Sequence, residues 1–371
     1  MLSEGGATNI RLALDLCQHG HNVTFLVLDP EHVYALMKSN IRIVCVDATR
    51  EIVPAIERLL TGETFNYIWP MSEPLLSQCW EREASLPGQL LTQVLPAHRH
   101  LYTSKTAMVN FARQCGIRVP LQFEIGSPVD AQATAQKLGF PLVVKGIRGS
   151  GGNAVHIVHD EQQLLQAVET ELKKDNSPVV QQFLTGKTYL VGGTFHWGIA
   201  CQLTGWLRTE QKNPPCGPSI VLSSARRQDL LGAAERLFGA LRFTGIAEAE
   251  FVEQAGELYF IEVNPRPSGS LYSTAALGLD VSLPISNIMK GIPTERHGRT
   301  YTDGLRTAGF PSFLGSRINA GASLLMIFEF LAKGGWRQLP TRHPRLLIWQ
   351  LKQLWWKYRS LHAKRPGQAG A

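Results

Sequence analysis

The stretch that most constrains this chain is Tyr259–Ser270, YFIEVNPRPSGS, read together with Gly245–Val252, GIAEAEFV, just before it. Both segments alternate apolar and polar residues, the period of a strand with one face exposed to solvent or ligand. Glu262 and Asn264 are two apart and share a face, and so do Glu248 and Glu250. The connection Glu253–Glu257 contains Gly256, so the two strands are expected to form a hairpin that brings Glu250, Glu262 and Asn264 together. Three hard oxygen donors beside Arg266 suit a small divalent ion such as Mg²⁺ or Mn²⁺ on nucleotide phosphates, because such an ion keeps several waters and needs few protein ligands. The bland alternative is a hairpin with a solvated carboxylate face.

A second motif lies over a hundred residues upstream. Phe140–Val158, FPLVVKGIRGSGGNAVHIV, reads as strand, glycine loop, strand. Lys145 closes the apolar run Leu142–Val144, and Gly149, Ser150, Gly151 and Gly152 form a loop whose backbone N–H groups reach a phosphate unhindered by Cβ atoms. The loop is neither a P-loop nor a dinucleotide fingerprint. It lacks the Gly-Lys-Ser/Thr ending, and no helix follows it directly. The bland alternative is a glycine-rich hairpin tip.

Together, in this order and with Gln181-Gln182-Phe183 between them, the two motifs resemble the ATP-grasp superfamily, in its carbamoyl-phosphate-synthetase-like, carboxylate–amine ligase branch. The resemblance covers roughly residues 1 to 295. It implies an ATP-grasp fold of mixed α/β (α+β overall) type, with a Rossmann-like pre-ATP-grasp domain over 1–97. The ATP-grasp domain would occupy 98–295, divided into 98–178 around the glycine loop and 179–295 around the metal and substrate. A basic helical extension would follow over 296–371. The resemblance also assigns roles. Glu250, Glu262 and Asn264 become metal ligands, and Lys145 and Lys105 contacts to the ATP phosphates under the loop Gly149–Gly152. Gln181, Gln182, Phe183 and Leu184 become the segment along the adenine edge. Arg266 stabilises developing charge, and Arg226 is a candidate for binding a substrate carboxylate. Relatives commonly carry a glutamate for the ribose hydroxyls seven residues after Gln181; this chain has Thr188, whose hydroxyl is also a hydrogen-bonding group. Relatives also begin with a strand before the Gly5-Gly6 position, yet only Met1–Glu4 precede it here, so either that strand is missing or the start codon is placed too late.

The implied activity is an ATP-dependent carboxylate–amine ligation through an acyl phosphate, with small-molecule acid and amine as substrates. Two alternatives stand beside it: a non-catalytic nucleotide-binding protein, and a carboxylase-like enzyme using bicarbonate. A homodimer is compatible with either catalytic reading.

The rest of the chain reads in order. Residues 1–95 alternate helix (8–19, 32–39, 53–60) and strand (23–28, 41–46, 67–69), the pattern of a parallel sheet covered by helices. Glu73 falls just past a strand end, where open α/β sheets bind ligands, and is also an ordinary helix-start carboxylate. Leu101–Gln114 reads as a helix with Ser104 as a cap and Lys105 in its first turn, a poor place for a cation unless it has another role. Helices are expected at 130–138, 161–173 and 230–241, a strand at 179–183, and two strands over 189–207 with a turn near His196–Gly198. The loop Pro214–Pro218 carries Cys216. Arg227, beside Arg226, reads as an exposed helix-start arginine.

Six cysteines without Cys-x-x-Cys spacing argue against a zinc site or disulfide framework and fit a reducing, cytoplasmic setting. The net charge of +7 is uneven: residues 317–371 hold ten Lys/Arg and one acid, Glu329, while the remainder is slightly acidic. Within that tail, Arg345–His362 reads as an amphipathic helix with Leu347, Leu351, Leu354, Tyr358 and Leu361 on one face, widened by Trp349, Trp355 and Trp356. Arg345, Lys352 and Arg359 lie on another face. Such a helix either lies in a membrane interface, giving peripheral contact through 345–362, or docks on protein. No nucleic-acid motif accompanies the charge.

Overall fold

The computed structural model describes residues 1–3, 6–27, 40–45, 61–146, 155–174, 178–212, 217–293 and 300–363. The helices expected at 32–39 and 53–60, the loop Gly149–Gly152, and Pro214–Cys216 lie outside those residues.

The chain opens on a parallel three-stranded sheet of β1 (Leu2–Ser3), β2 (Thr24–Val27) and β3 (Arg42–Cys45), with α1 (Ala7–Gln18) crossing between β1 and β2. The first strand is thus present, as a two-residue strand. Ile10, Ala13 and Leu16 of α1 pack with Phe25 and Val27 of β2, the expected helix-on-sheet burial. A second parallel pair, β4 (Tyr67–Ile68) and β5 (Gln89–Leu90), brackets α2 (Glu73–Glu81). The helix expected from Leu101 divides in two. A 3₁₀ turn covers Pro96–Tyr102, and α3 (Lys105–Gln114) starts afresh because Ser104 is extended and its hydroxyl accepts the Ala107 N–H.

A four-stranded antiparallel sheet follows, in the order β6 (Gln122–Glu124), β9 (Pro178–Gln182), β7 (Leu142–Gly146), β8 (Val155–Val158). Leu142, Val144, Val158 and Val180 bury one face against α4 (Pro128–Leu138) and α5 (Glu161–Lys173). By strand alternation Val143, Lys145 and Gln181 belong to the other face.

The largest sheet has six strands ordered β14 (Glu257–Asn264), β13 (Gly245–Gln254), β10 (Lys187–His196), β11 (Ile199–Gln211), β12 (Ser219–Ser224), β15 (Arg306–Ala308). One face is closed by α6 (Gln228–Leu241), whose Leu230, Ala234, Leu237 and Phe238 pack on Val191, Phe195, Ala249 and Phe251. The hairpin connections are tighter than expected. Ala255-Gly256 and Trp197-Gly198 both have positive φ at the two central positions, the two-residue turn whose twist matches the flanking strands. The connection expected over Glu253–Glu257 therefore shrinks to Ala255-Gly256, and pairing runs to Gln254↔Glu257.

Residues 296–371 are more than a helical extension. They supply β15 to the large sheet, and Phe313 and Ile318 of α8 (Ser312–Asn319) and Met326 and Phe330 of α9 (Leu325–Ala332) pack on Ile220, Val221 and Ala308. The last helix, α10 (Pro344–Ala363), is rotated about its axis from the expected orientation. Leu346 and Gln350 point inward with Leu354 and Tyr358, whereas Leu351 and Leu361 are exposed and Trp355 and Trp356 face outward. The cause is docking against the N-terminal helix. Leu346 is fully buried in the cluster of Ile10, Ala13 and Leu16, and His343 Nε2 lies 2.5 Å from Asp15 Oδ1. No helix among the described residues is long and apolar enough to cross a membrane.

A docked tail has a measurable consequence. Leu346→Ala is expected to destabilise the protein by about 2–5 kcal/mol in urea unfolding. A loss below about 0.5 kcal/mol would place the helix outside the core.

Candidate active site

The carboxylate hairpin forms in the expected register. Glu250 pairs directly with Glu262, and Glu248 with Asn264, across antiparallel β13 and β14. Directly opposed residues share a face, so all four side chains belong to the sheet face opposite α6. Glu250 does not stand alone there. From β11, on the far side of β10, the Arg208 guanidinium donates to Glu250 Oε2 at 2.6 Å and to Ser219 Oγ at 2.8 Å. Glu262 makes no ion pair or hydrogen bond through its side chain with any described residue. Glu248 is buried and accepts from the hydroxyls of Ser268, at 3.0 Å, and Ser270.

Two cations reach this face from other elements. Lys145, on β7 of the smaller sheet, is close enough to lower the pKa of Glu250 electrostatically; that pKa is nonetheless raised, first by burial and further by Glu262, with Arg208 opposing. Lys105, in the first turn of α3, donates from Nζ to the carbonyl of Gly146 at 2.9 Å, at the end of β7. The dipole-opposed lysine thus has a partner on the strand that leads into the glycine loop.

Arg266 sits where the hairpin ends. Its guanidinium lies 3.5 Å from Glu73 Oε1 and donates at 3.4 Å to Asn264 Oδ1. Glu73, at the start of α2, keeps 44% of its side chain exposed. Even so, the protein crowding around it pushes its pKa up. Glu262 pushes the same way, while Arg266 and Lys105 oppose. These mutual effects gather Glu73, Glu262, Lys105 and Arg266 in one neighbourhood.

The segment Gln181–Leu184 runs from β9 toward β10. Gln181 and Leu184 are buried and Phe183 half-buried, and the Gln182 N–H donates to the Leu121 carbonyl at 2.8 Å. Thr188 lies on β10 opposite Val252 and is half-buried. Arg226 stands apart. It is exposed at the start of α6, its backbone N–H donates to Asp303, and no hydrogen bond or ion pair among the described residues links its side chain to the carboxylates. Arg227 is occupied by ion pairs to Asp229 and Glu253, both 2.6 Å, and lies over the Tyr189 ring.

Sequence reading missed Arg208 and the Glu248–Ser268–Ser270 cluster. Glu248 had a signal, since it shares its strand face with Glu250. Arg208 had none, because only strand order brings it to a carboxylate 42 residues away. The donors present suit a hard divalent ion: two carboxylates and an amide oxygen, one carboxylate unpaired and the other engaged by arginine through Oε2. Among the described residues no group of three or more His, Cys, Asp or Glu side chains is placed to hold a metal.

Comparison with known proteins identifies the domain. Residues 103–270 match the model of the ATP-grasp domain. The chain is 31% identical over 151 residues to a pyruvate carboxylase of Staphylococcus aureus, an alignment covering 37% of this chain and 13% of that protein. It is 28% identical over 167 residues to the carbamoyl phosphate synthase large chain of Clostridium perfringens, covering 42% and 16%. Among solved structures it superposes on the biotin carboxylase domain dimer of Hydrogenobacter thermophilus 2-oxoglutarate carboxylase, solved with MgADP, ADP and bicarbonate. There the TM-score is 0.66 and the identity 14%, over 82% of this chain and 72% of that one. The chain thus carries an ATP-grasp domain and has homologues among ligases and carboxylases, and it spans less than a fifth of the length of those two sequence relatives.

The buried carboxylates make stability pH-dependent. The pKa of Glu248 is raised above its ordinary 4.5, first by burial, with Glu250 adding to it and the two serine hydroxyls opposing. A raised carboxylate pKa contributes stability below the ordinary value, and that contribution is lost as pH rises through the raised one. The thermal midpoint of the protein without nucleotide or metal should therefore fall over that interval. In Glu248→Gln the fall should be smaller, the remainder coming from Glu250 and Glu73. Superimposable pH profiles would refute the assignment.

Proposed function

We propose that the protein is an ATP-dependent ligase joining a carboxylate to an amine through an acyl phosphate, with ADP and phosphate as products. The observation that carries this reading is the convergence of Lys145, from one sheet, on the Glu250–Glu262 pair of the other. Mg²⁺ on the phosphates of ATP would offset charge during transfer of the phosphoryl group to the acid, and the amine would then displace phosphate.

The chain's own residues position and neutralise. Glu250, Glu262 and Asn264 would hold the ion. Arg208 fixes the Glu250 carboxylate through Oε2. The ammonium groups of Lys105 and Lys145 hold the phosphates, and the sequence of the loop Gly149–Gly152 suits backbone N–H contact with them. Arg266, oriented by Glu73 and Asn264, stabilises charge that develops on the transferring group. The backbone of Gln181–Leu184 holds the adenine edge and Thr188 meets the ribose. Arg226, exposed near the end of β12, binds the carboxylate of the incoming acid bidentately. No side-chain nucleophile is required.

In this reading, residues 98–178 and 179–295 are the two lobes of the ATP-grasp domain, although β9 (Pro178–Gln182), at the start of the second, pairs with β6 and β7 in the sheet of the first. Residues 1–97 precede them and lend Glu73, and 296–371 brace the large sheet through β15.

The test is ADP release with Mg²⁺ and ATP over a panel of carboxylic acids and amines. Acid- and amine-dependent release is expected, and Glu262→Ala should lower it at least about a hundredfold while leaving unfolding unchanged. Wild-type turnover in that variant would remove the metal assignment. The bicarbonate in the biotin carboxylase neighbour favours a second reading, in which the acid is bicarbonate; ADP release with bicarbonate and no amine would select it. Nucleotide binding without ADP release under any condition would select a non-catalytic role.

A further inference from the structure

The rotation of α10 leaves an unusual surface. Ile348, Trp355 and Trp356 face solvent, Trp356 with 74% of its surface exposed, on the same outward side as Arg345, Lys352 and Arg359. Helix α9 is also apolar on its outside: Leu324, just before it, is 53% exposed, and Leu325 and Phe328 are each 71% exposed. Both helices bury their other sides in one core, which includes Met326 and Phe330 of α9 and against which Leu354 and Tyr358 of α10 pack. Neither outward face is required for that core.

Charge selects the occupant. Residues 317–371 contain one acidic side chain, Glu329, and it is paired with Arg317, at 2.6 Å, and Lys333, also at 2.6 Å. Lys352 and Arg359 therefore have no acidic residue of this segment left to answer them. A second copy of the same surface would bring like charges together, which opposes self-association through it. An anionic bilayer answers both properties. Indole and phenyl rings insert at the headgroup boundary, and Lys and Arg meet lipid phosphates. No described helix is long and apolar enough to cross the membrane, so the contact is in the plane of the interface.

We infer that the outward faces of α9 and α10 bind the surface of an anionic phospholipid membrane, holding the enzyme in the plane of the interface. The inference is independent of the proposed reaction.

Co-sedimentation of the full chain with phosphatidylcholine vesicles, with and without phosphatidylglycerol, tests it. Binding should require the anionic lipid, be released by high salt, and shift tryptophan emission to the blue. Lys352→Glu and Arg359→Glu should each weaken binding at least about fivefold, the effect of one cation at an anionic surface. Trp355→Ser with Trp356→Ser, and separately Phe328→Ser, should reduce pelleting without changing ADP release or thermal unfolding. Failure to bind either vesicle, equal binding to both, or full binding by the tryptophan variant would overturn the inference. So would loss of a dimer in that variant, which would assign the face to a second copy.

Discussion

Two carboxylates directly opposed on one sheet face are an unstable arrangement, and much of this structure answers that one problem. Glu250 and Glu262 face each other across β13 and β14, where like charges at close cross-strand range repel. The sheet compensates Glu250 through Arg208, itself anchored by Ser219 on the neighbouring strand, so the cation is fixed rather than freely mobile. Lys145 adds a second positive charge from the opposite lobe. Glu262 is left without a described partner. The compensation is uneven: one carboxylate of the pair is engaged by arginine and the other keeps its charge unanswered among the described residues.

Most of that hairpin was legible in the sequence because its information is local. Glu262 and Asn264, and Glu248 and Glu250, are each two residues apart, so strand periodicity alone puts them on common faces. Lys105 was legible for a different reason, being a cation in a helix's first turn where the dipole disfavours it. It holds the carbonyl of Gly146. Arg208 could not be read, since its role depends on β10 lying between β11 and β13. Nor could the Ser268–Glu248 and Ser270–Glu248 bonds, which need the chain to fold back after Pro267. The rotation of α10 belongs to the same class. Periodicity identified a helix with an apolar stripe, but packing of Leu346 and His343 against α1 chose which stripe is buried.

That packing matters beyond the tail. Asp15 of α1 accepts from both sides, from the Tyr272 hydroxyl at 2.5 Å and in the contact with His343, while Arg11 lies 3.9 Å over the Tyr272 ring and donates to the Gln338 carbonyl. Tyr272 follows closely on Arg266, Ser268 and Ser270, the residues that leave the carboxylate hairpin. The N-terminal helix and the tail therefore clamp the segment that aims the arginine.

Glu73 completes the same design from another element. It approaches Arg266 from the first turn of α2, in the part of the chain that precedes the ATP-grasp match, so the orientation of a residue within that match depends on a carboxylate outside it. A guanidinium held by one carboxylate and one amide oxygen loses less rotational freedom when it engages a developing negative charge than a free one would, which is the physical content of preorganisation. The carboxylate hairpin is thus not a self-sufficient unit: its charge balance draws on Arg208 of β11 and Lys145 of the smaller sheet, and the arginine at its end meets Glu73 from outside the match.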